Sequence, residues 1–173
     1  MAKAKTAATK KAKKKTASKG AAKAHPLFTI GYEQATLPAV LRELARAKVK
    51  LVVDTRAVAA SRRPGFSKRQ LAAALDEHGI AYLHLQKLGT PAEGRHAARA
   101  GDTDTLWRIY GKHIKTPAAQ EALDELLALL KAGERLALLC YCRDPNACHR
   151  SRIVAAVQER MKIKVEDLIP ALF

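Results

Sequence analysis

Three cysteines, a histidine and an arginine lie within eleven positions near the C-terminus of this 173-residue chain. They are Cys140, Cys142, Cys148, His149 and Arg150, and the chain has no other cysteine. An apolar, strand-like run precedes them and a helix-like segment follows. The first turn of a helix offers unpaired N–H groups and the positive end of the helix dipole, so it binds anions and lowers the pKa of a thiol. This segment is therefore predicted to be the functional centre.

Cys148 is the candidate nucleophile, because it is predicted to lie at the start of a helix beside His149 and Arg150. Cys140 and Cys142 are two positions apart on a strand and share one face. Cys140 is expected to be a buried structural residue, whereas Cys142 could meet Cys148 as a redox partner. A metal site of Cys142, Cys148, His149 and a carboxylate is an alternative with unusually loose spacing for zinc. The sequence leads us to assign neither a metal nor a cofactor.

The elements that must position these residues alternate between strand-like and helix-like patterns. The five strand-like runs, the last of them an edge strand, cover residues 27–30, 51–53, 80–83, 136–141 and 165–169. Helices are predicted after the caps Thr36, Ser67 and Thr116 and over 104–114 and 149–161, with a long loop over 86–103. This order predicts an α/β fold: a three-layer sandwich with a mainly parallel, Rossmann-like sheet of about five strands and helices on both faces.

In such a sheet the loops that follow the strands lie at one edge, where ligands bind. We expect that edge to collect Glu33, as a catalytic acid or base or as a helix-entry residue. The candidate substrate-binding residues there are Tyr32, Asp54, Arg56, Arg62 and Ser151. Arginine binds phosphate through paired N–H groups, which favours a small anionic or nucleotide-like substrate. Ordinary solvated surface is the alternative for Arg62.

The basic charge of the chain is concentrated at its N-terminus. Residues 1–25 carry nine lysines and no acidic residue, and the whole chain has a net charge of +16. With no large apolar residue between Met1 and Leu27, the tail 1–25 is predicted to be disordered, and residues 26–173 to form a single α/β domain. The tail is expected to bind DNA or RNA without sequence preference. No secretory signal or membrane span is recognisable, which favours a cytoplasmic, nucleoid-associated protein that binds no membrane.

Four segments resemble the family called domain of unknown function 488, a group of small and mostly prokaryotic proteins, over roughly residues 27 to 170. The matching residues are Thr29-Ile30-Gly31-Tyr32; Asp54-Thr55-Arg56 with Ser61 and Phe66; Tyr82 with Leu88-Gly89; and Cys140, Asp144-Pro145 and Cys148-His149-Arg150-Ser151. Many members have serine in place of Glu33 and an acidic residue in place of Cys142, and the lysine-rich tail is an addition. The resemblance implies the fold and a site at the cysteines, but no reaction.

Three hypotheses about function remain open at this point. The favoured one is a thiol-dependent enzyme that acts on a small anionic or nucleotide-like substrate, with the tail as an added nucleic-acid-binding segment. The others are a nucleic-acid-associated protein without enzymatic activity, and a metal-binding or redox-sensing module. The reactivity of Cys148, the salt dependence of nucleic-acid binding and the metal content of the purified protein separate the three.

Overall fold

The protein was analysed as a computed structural model, which describes residues 25–172. Within this range the five strands are β1 (Leu27–Gly31), β2 (Leu51–Asp54), β3 (Ala81–His84), β4 (Leu136–Cys140) and β5 (Val165–Leu168). The six helices are α1 (Leu37–Arg46), α2 (Lys68–Glu77), α3 (Ala92–Arg99), α4 (Thr103–His113), α5 (Pro117–Lys131) and α6 (Arg150–Gln158). All strand pairs are parallel and their order is β3-β2-β4-β1-β5. The predicted α/β fold and the edge position of β5 are confirmed.

Two apolar cores cover the two faces of the sheet. The first packs α1 and α2 against one face through residues such as Leu44 and Leu75. The second packs α5 and α6 against the other face through residues such as Leu126 and Ile153, with Tyr110 of α4 beside them. Successive side chains of a strand point to opposite faces, so Leu138 of β4 belongs to the second core and the residues beside it to the first. The result is the three-layer sandwich.

Thr36 and Thr116 cap their helices as predicted, since each side chain accepts a hydrogen bond from a backbone N–H of the first turn. Ser67 precedes α2 as predicted but forms no such bond with the helix. Its hydroxyl instead donates to the carbonyl of Ser61 at 3.0 Å. Ser67 therefore holds the loop between β2 and α2 together rather than the first turn of α2.

The predicted long loop over residues 86–103 is wrong. This segment contains a 3₁₀ turn at Gln86–Leu88 and the helix α3. Glycine has low helix propensity, so Gly94 in the middle of α3 makes the sequence pattern of this helix hard to recognise. In the structure Gly94 is buried, and a methyl group there would lie 2.8 Å from the Thr90 side chain. Close packing of α3 on its neighbours therefore overrides the local propensity.

The sheet has a crevice between the carboxyl ends of β1 and β4. These strands are neighbours, but β1 leads into α1 on one face and β4 leads into α6 on the other. Ligands of open α/β sheets bind where neighbouring strands diverge in this way. The loops that follow β1 and β4 carry Glu33, Cys142 and Cys148. Within residues 25–172, no helix has the length and apolar character needed to cross a membrane.

Candidate functional site

The loop between β4 and α6 folds back so that the three cysteines meet. The side chain of Asp144 accepts a hydrogen bond from the N–H of Asn146 at 2.9 Å, which forms a local turn. The N–H of Cys148 then donates to the carbonyl of Pro145 at 3.3 Å. This turn returns Cys148 to the strand end, just before the first residue of α6. The Asp-Pro pair therefore positions the thiol through the backbone.

The sulfur atoms of Cys140, Cys142 and Cys148 all lie within 4.8 Å of one another. We call these residues, with His149 and Arg150, the thiol cluster. None of the three cysteines forms a disulfide. Cys140 and Cys148 are buried, whereas Cys142 is partly exposed. The predicted approach of Cys142 to Cys148 is observed, and Cys140, expected to be only structural, lies in the same cluster.

His149 contacts two of the sulfurs and is held in one orientation by the backbone. Its Nδ1 lies 3.6 Å from the sulfur of Cys140 and 3.7 Å from that of Cys148. Its Nε2 lies 3.0 Å from the carbonyl oxygen of Thr55. A carbonyl oxygen only accepts hydrogen bonds, so Nε2 carries the proton and Nδ1 of the neutral ring is free to accept one from a thiol. The arrangement makes His149 a proton acceptor for the cluster.

Arg150 brings a positive charge into the interior beside Cys148. Its side chain is only 1% exposed. Its Nε donates to the sulfur of Cys148 at 3.3 Å, its Nη1 to the hydroxyl of Thr29 at 3.1 Å and its Nη2 to the carbonyl of Cys142 at 2.6 Å. Within residues 25–172, no carboxylate forms an ion pair with Arg150. A buried cation favours an anionic partner, and the sulfur of Cys148 is the ionisable group that Arg150 contacts.

The three thiols are not equivalent in acidity. Interactions with the thiols of Cys140 and then Cys142 lower the pKa of Cys148 well below its usual range, and His149 adds to this effect against the opposing effect of burial. A hydrogen bond with Cys142 lowers the pKa of Cys140, but the interaction with Cys148 and burial raise it by more. The pKa of Cys140 therefore rises to about 12. The pKa of Cys142 is raised by Cys140, Cys148 and burial. Cys148 is therefore the most acidic of the three thiols.

Gly31 is the position that allows the loop to close over β1. A methyl group on Gly31 would lie 1.9 Å from the carbonyl oxygen of Cys142, far inside van der Waals contact. That same carbonyl accepts the Nη2 hydrogen bond of Arg150. The backbone of the loop between β4 and α6, which we call the Cys142 loop, therefore requires a glycine at the end of β1. No turn in the chain segment of Gly31 itself requires it.

A second buried cluster lies at the same edge of the sheet, at the end of β2. Asp54 accepts from Arg56 at both carboxylate oxygens, at 2.9 and 2.6 Å, and the hydroxyl of Tyr82 donates to it at 2.6 Å. The Nη1 of Arg56 also donates to the hydroxyl of Tyr32 at 2.8 Å and to the carbonyl of Phe66 at 2.9 Å. We call Tyr32, Asp54, Arg56, Phe66 and Tyr82 the arginine–aspartate cluster.

The two charged groups of the arginine–aspartate cluster, Arg56 and Asp54, pair with each other. Burial lowers the pKa of Arg56, but the hydrogen bond and the attraction of Asp54 outweigh it and raise that pKa above its usual value. Burial, followed by the bond to Asp54, raises the pKa of Tyr82. The ring of Tyr32 stacks on that of Phe66 with centroids 4.1 Å apart. These groups hold the loop after β2 through contacts with one another.

Replacing Asp54 by asparagine is expected to lower the free energy of unfolding by about 3–5 kcal/mol, because it leaves the buried Arg56 charge without its partner. Denaturant titration measures this change. The matched control is Asp124→Asn, which breaks the exposed pair with Arg160 and should change stability by less than about 1 kcal/mol. Equal effects of the two substitutions would show that the buried pair has no special structural role.

Glu33 lies between the two loops of the crevice. Its carboxylate accepts a hydrogen bond from the backbone N–H of Arg143 at 3.0 Å, and its own N–H donates to the carbonyl of Tyr141 at 2.8 Å. It also lines an open cavity of about 450 Å³ together with residues of the Cys142 loop and Ile169. Glu33 thus fixes the loop that carries Cys142 and faces the space next to it.

Apart from Glu33, the predicted site residues fall into three groups in the structure. Cys142, Cys148, His149 and Arg150 meet in the thiol cluster, where the Ser151 hydroxyl donates to the carbonyl of Cys148 at 2.9 Å. Tyr32, Asp54 and Arg56 lie at the same edge but in the arginine–aspartate cluster, and they are buried. Arg62 is exposed on the loop between β2 and α2.

Sequence reasoning missed several groups that complete the site. Three of them are the carbonyl of Thr55, the hydroxyl of Thr29 and the thiol of Cys140. Cys140 had a usable signal, because the two-residue spacing put it on the same face as Cys142. The Thr55 carbonyl had none, since every residue has a backbone carbonyl. Tyr110, whose ring centroid lies 5.5 Å from that of His149, was not among the predicted site residues.

Comparison with known protein families gives one finding. The model of "Domain of unknown function DUF488" matches residues 36–157, more than two thirds of the chain, from α1 nearly to the end of α6. Comparison with curated proteins gives no match, and neither does comparison with solved structures. The matched range contains the loops after β2 and β4, with every residue of both clusters except Tyr32. The chain belongs to the DUF488 family.

Proposed function

We propose that this protein is a thiol-dependent enzyme that uses Cys148 as its nucleophile on a small anionic or nucleotide-like substrate. The observation that carries the proposal is the pairing of the buried Arg150 with the sulfur of Cys148 at 3.3 Å, without a carboxylate partner within residues 25–172. A guanidinium beside a thiol favours the thiolate, which is the reactive form. Cys148 lies two residues before the first residue of α6, which adds the positive end of the helix dipole.

The chemical step is a nucleophilic substitution. The Cys148 thiolate forms a bond to an electrophilic atom of the substrate, and the bond from that atom to the leaving group breaks. The leaving group departs with the electron pair and takes a proton from the His149 imidazolium or from the Cys142 thiol. If the electrophilic atom is sulfur, Cys142 can then attack the mixed disulfide, which releases the second thiol and leaves a Cys142–Cys148 disulfide.

The route of the substrate follows from exposure. Cys148 is 1% exposed and Cys142 is partly exposed, so the substrate approaches from the Cys142 side, where Glu33 lines the open cavity. Arg150 uses three of the five N–H donors of a guanidinium for internal contacts, and the other two serve an anionic group of the substrate. Ser151, next to Cys148, and the exposed Arg62 are proposed as further substrate contacts, and Glu33 as the proton-transfer group.

Two small disulfides test the proposal on the reduced, full-length protein. Dithiobis-nitrobenzoate is anionic and dithiodipyridine is uncharged, and both release a coloured thiol on attack. The wild-type protein is expected to react faster with the anionic reagent, to a product whose mass shows a Cys142–Cys148 disulfide. Cys142→Ser is expected to stop at a mixed disulfide on Cys148, and Cys148→Ser to lose the fast reaction. An unchanged fast phase in Cys148→Ser would refute the nucleophile.

The lysine-rich tail supports a second activity, which we propose as non-specific binding of DNA or RNA. Nine lysines without an acidic residue in positions 1–25 favour phosphate contacts. Such contacts carry no base information, so binding does not depend on sequence. Apart from His25, this segment lies outside the residues that the structure describes. A cytoplasmic location with nucleoid association follows from the same proposal.

Replacing the nine tail lysines by glutamine in the full chain is expected to remove most of the affinity for duplex DNA and RNA. The logarithm of the wild-type affinity should fall linearly with the logarithm of salt concentration, by about 0.9 for each phosphate of duplex DNA contacted. Fluorescence anisotropy at several salt concentrations measures both quantities. The same affinity and salt slope in the two proteins would show that another surface binds the nucleic acid.

A further inference from the structure

We propose that the thiol cluster is also a binding site for a thiophilic divalent cation, with Zn²⁺ as the ion it fits. The ligands are the sulfurs of Cys140, Cys142 and Cys148, and Nδ1 of His149 is the fourth. The sequence alone suggested a site with a carboxylate and without Cys140. The structure replaces the carboxylate by a third sulfur, because β4 places Cys140 on the same face as Cys142.

The distances suit a tetrahedral ion. Zinc binds sulfur at about 2.3 Å and histidine nitrogen at about 2.0–2.1 Å, so nitrogen and sulfur ligands of one tetrahedral site lie about 3.5–3.6 Å apart. Nδ1 of His149 lies 3.6 Å from the Cys140 sulfur and 3.7 Å from the Cys148 sulfur. The three sulfurs lie within 4.8 Å of one another, against about 3.8 Å in such a site. The sulfurs must therefore move inward to reach this geometry.

The groups around the cluster are those that support a metal site. Nε2 of His149 faces the carbonyl of Thr55 at 3.0 Å, and a ligand histidine usually donates its second N–H to a carbonyl or carboxylate in this way. Three thiolates and Zn²⁺ together carry one negative charge. Arg150 supplies one buried positive charge against the sulfur of Cys148 and has no carboxylate partner within the described chain. The loaded site is therefore neutral overall, as burial requires.

Soft thiolate ligands also decide which ions bind. Sulfur and imidazole ligands favour Zn²⁺, whereas Mg²⁺ and Ca²⁺ prefer oxygen. Binding forms metal–sulfur bonds and releases the remaining thiol protons to the buffer. The inference rests on the proposed function in one respect: the ion engages the Cys148 sulfur, so an occupied site has no free nucleophile. Zn²⁺ would then switch off the thiol chemistry reversibly.

Co²⁺ provides a direct readout, because thiolate ligands give it an intense near-ultraviolet charge-transfer absorption. Reduced full-length protein, freed of metal with a chelator and handled without oxygen, is expected to bind one Co²⁺ with this absorption, and added Zn²⁺ should abolish it. Cys142→Ser changes the partly exposed ligand, so its fold should survive, which circular dichroism checks. Loss of a group that only hydrogen-bonds to a metal ligand lowers metal affinity about 10–100-fold. Loss of the Cys142 ligand itself should therefore lower the affinity for the ion by at least about 100-fold. His96→Gln, an exposed histidine outside the site, should bind like wild type.

The outcomes separate this inference from the proposed function. Absence of the charge-transfer absorption, or equal Zn²⁺ affinity in wild type and Cys142→Ser, would overturn the metal site whatever the reactivity of Cys148. A bound ion in a protein whose metal-free Cys148 is unreactive would support the metal site and overturn the enzyme. Support for both requires that Zn²⁺ slows alkylation of Cys148 at least tenfold and that a chelator restores the rate.

Discussion

Gly31→Ala is expected to prevent folding, or to lower the free energy of unfolding by at least about 3 kcal/mol, the upper end for overpacked sites. The added methyl group would lie 1.9 Å from the carbonyl oxygen of Cys142 and 3.0 Å from Nη2 of Arg150. Relief requires the Cys142 loop to move away from β1. That movement breaks the hydrogen bond between the carbonyl and Arg150, so the clash and the lost bond add together.

Gly111→Ala is the matched control for this substitution. Gly111 lies in the helix α4, and a methyl group there would meet nothing within 4 Å. Alanine has the higher helix propensity, so the control should be neutral or more stable by up to about 1 kcal/mol. Thermal and urea unfolding of both variants give the comparison. Wild-type stability in Gly31→Ala would mean that the Cys142 loop does not close over β1.

Arg150→Met is expected to have the second-largest effect, on stability and reactivity together. Loss of the guanidinium leaves the carbonyl of Cys142 and the hydroxyl of Thr29 without their donor and removes the charge beside Cys148. Breaking a buried charged contact costs about 3–5 kcal/mol. The pKa of Cys148 should rise, so its alkylation at neutral pH should slow by at least tenfold. Unfolding curves and mass-resolved alkylation rates measure the two effects.

The neighbouring arginine provides the control. Arg152 is also on α6, but it is exposed and its guanidinium stacks over the ring of Trp107 at 4.8 Å. Arg152→Met should leave the alkylation rate of Cys148 unchanged. Arg150→Lys keeps a positive charge without the planar set of donors, and it should recover part of the rate. If Arg150→Met folds and Cys148 still reacts at the wild-type rate, then Arg150 does not stabilise the thiolate.

The fold could be predicted largely because its elements obey simple patterns. Short apolar runs marked the strands, and Thr36 and Thr116 marked the starts of α1 and α5. The helix α3 could not be recognised, because it is short and contains Gly94, whose packing partners come from outside the helix. The predicted helix over 149–161 is shorter in the structure, Arg150–Gln158, since helix ends depend on local capping.

The candidate site could be predicted in position but not in detail. Cysteine spacing and the parallel sheet placed Cys142, Cys148 and the loop after β2 at one edge. The burial of Arg56 and Arg150 could not be predicted, because charged residues are usually exposed. Their role as internal partners of Asp54 and Cys148 appears only when the chain is folded. Arg56 was expected to bind a substrate, but it uses its donors on Asp54, Tyr32 and Phe66.

The central claim is that Cys148 is a thiolate at neutral pH, and its alkylation by iodoacetamide against pH tests this most directly. The protein is reduced, free of metal and of full length, and labelling of each cysteine is followed by mass spectrometry. A lowered pKa keeps the reactive thiolate populated as the pH falls below the free-cysteine value of about 8.5. The midpoint for Cys148 should therefore lie well below 8.5, while Cys142, whose pKa is raised, should be labelled at higher pH than Cys148. A midpoint for Cys148 at or above about 8.5 would contradict the account.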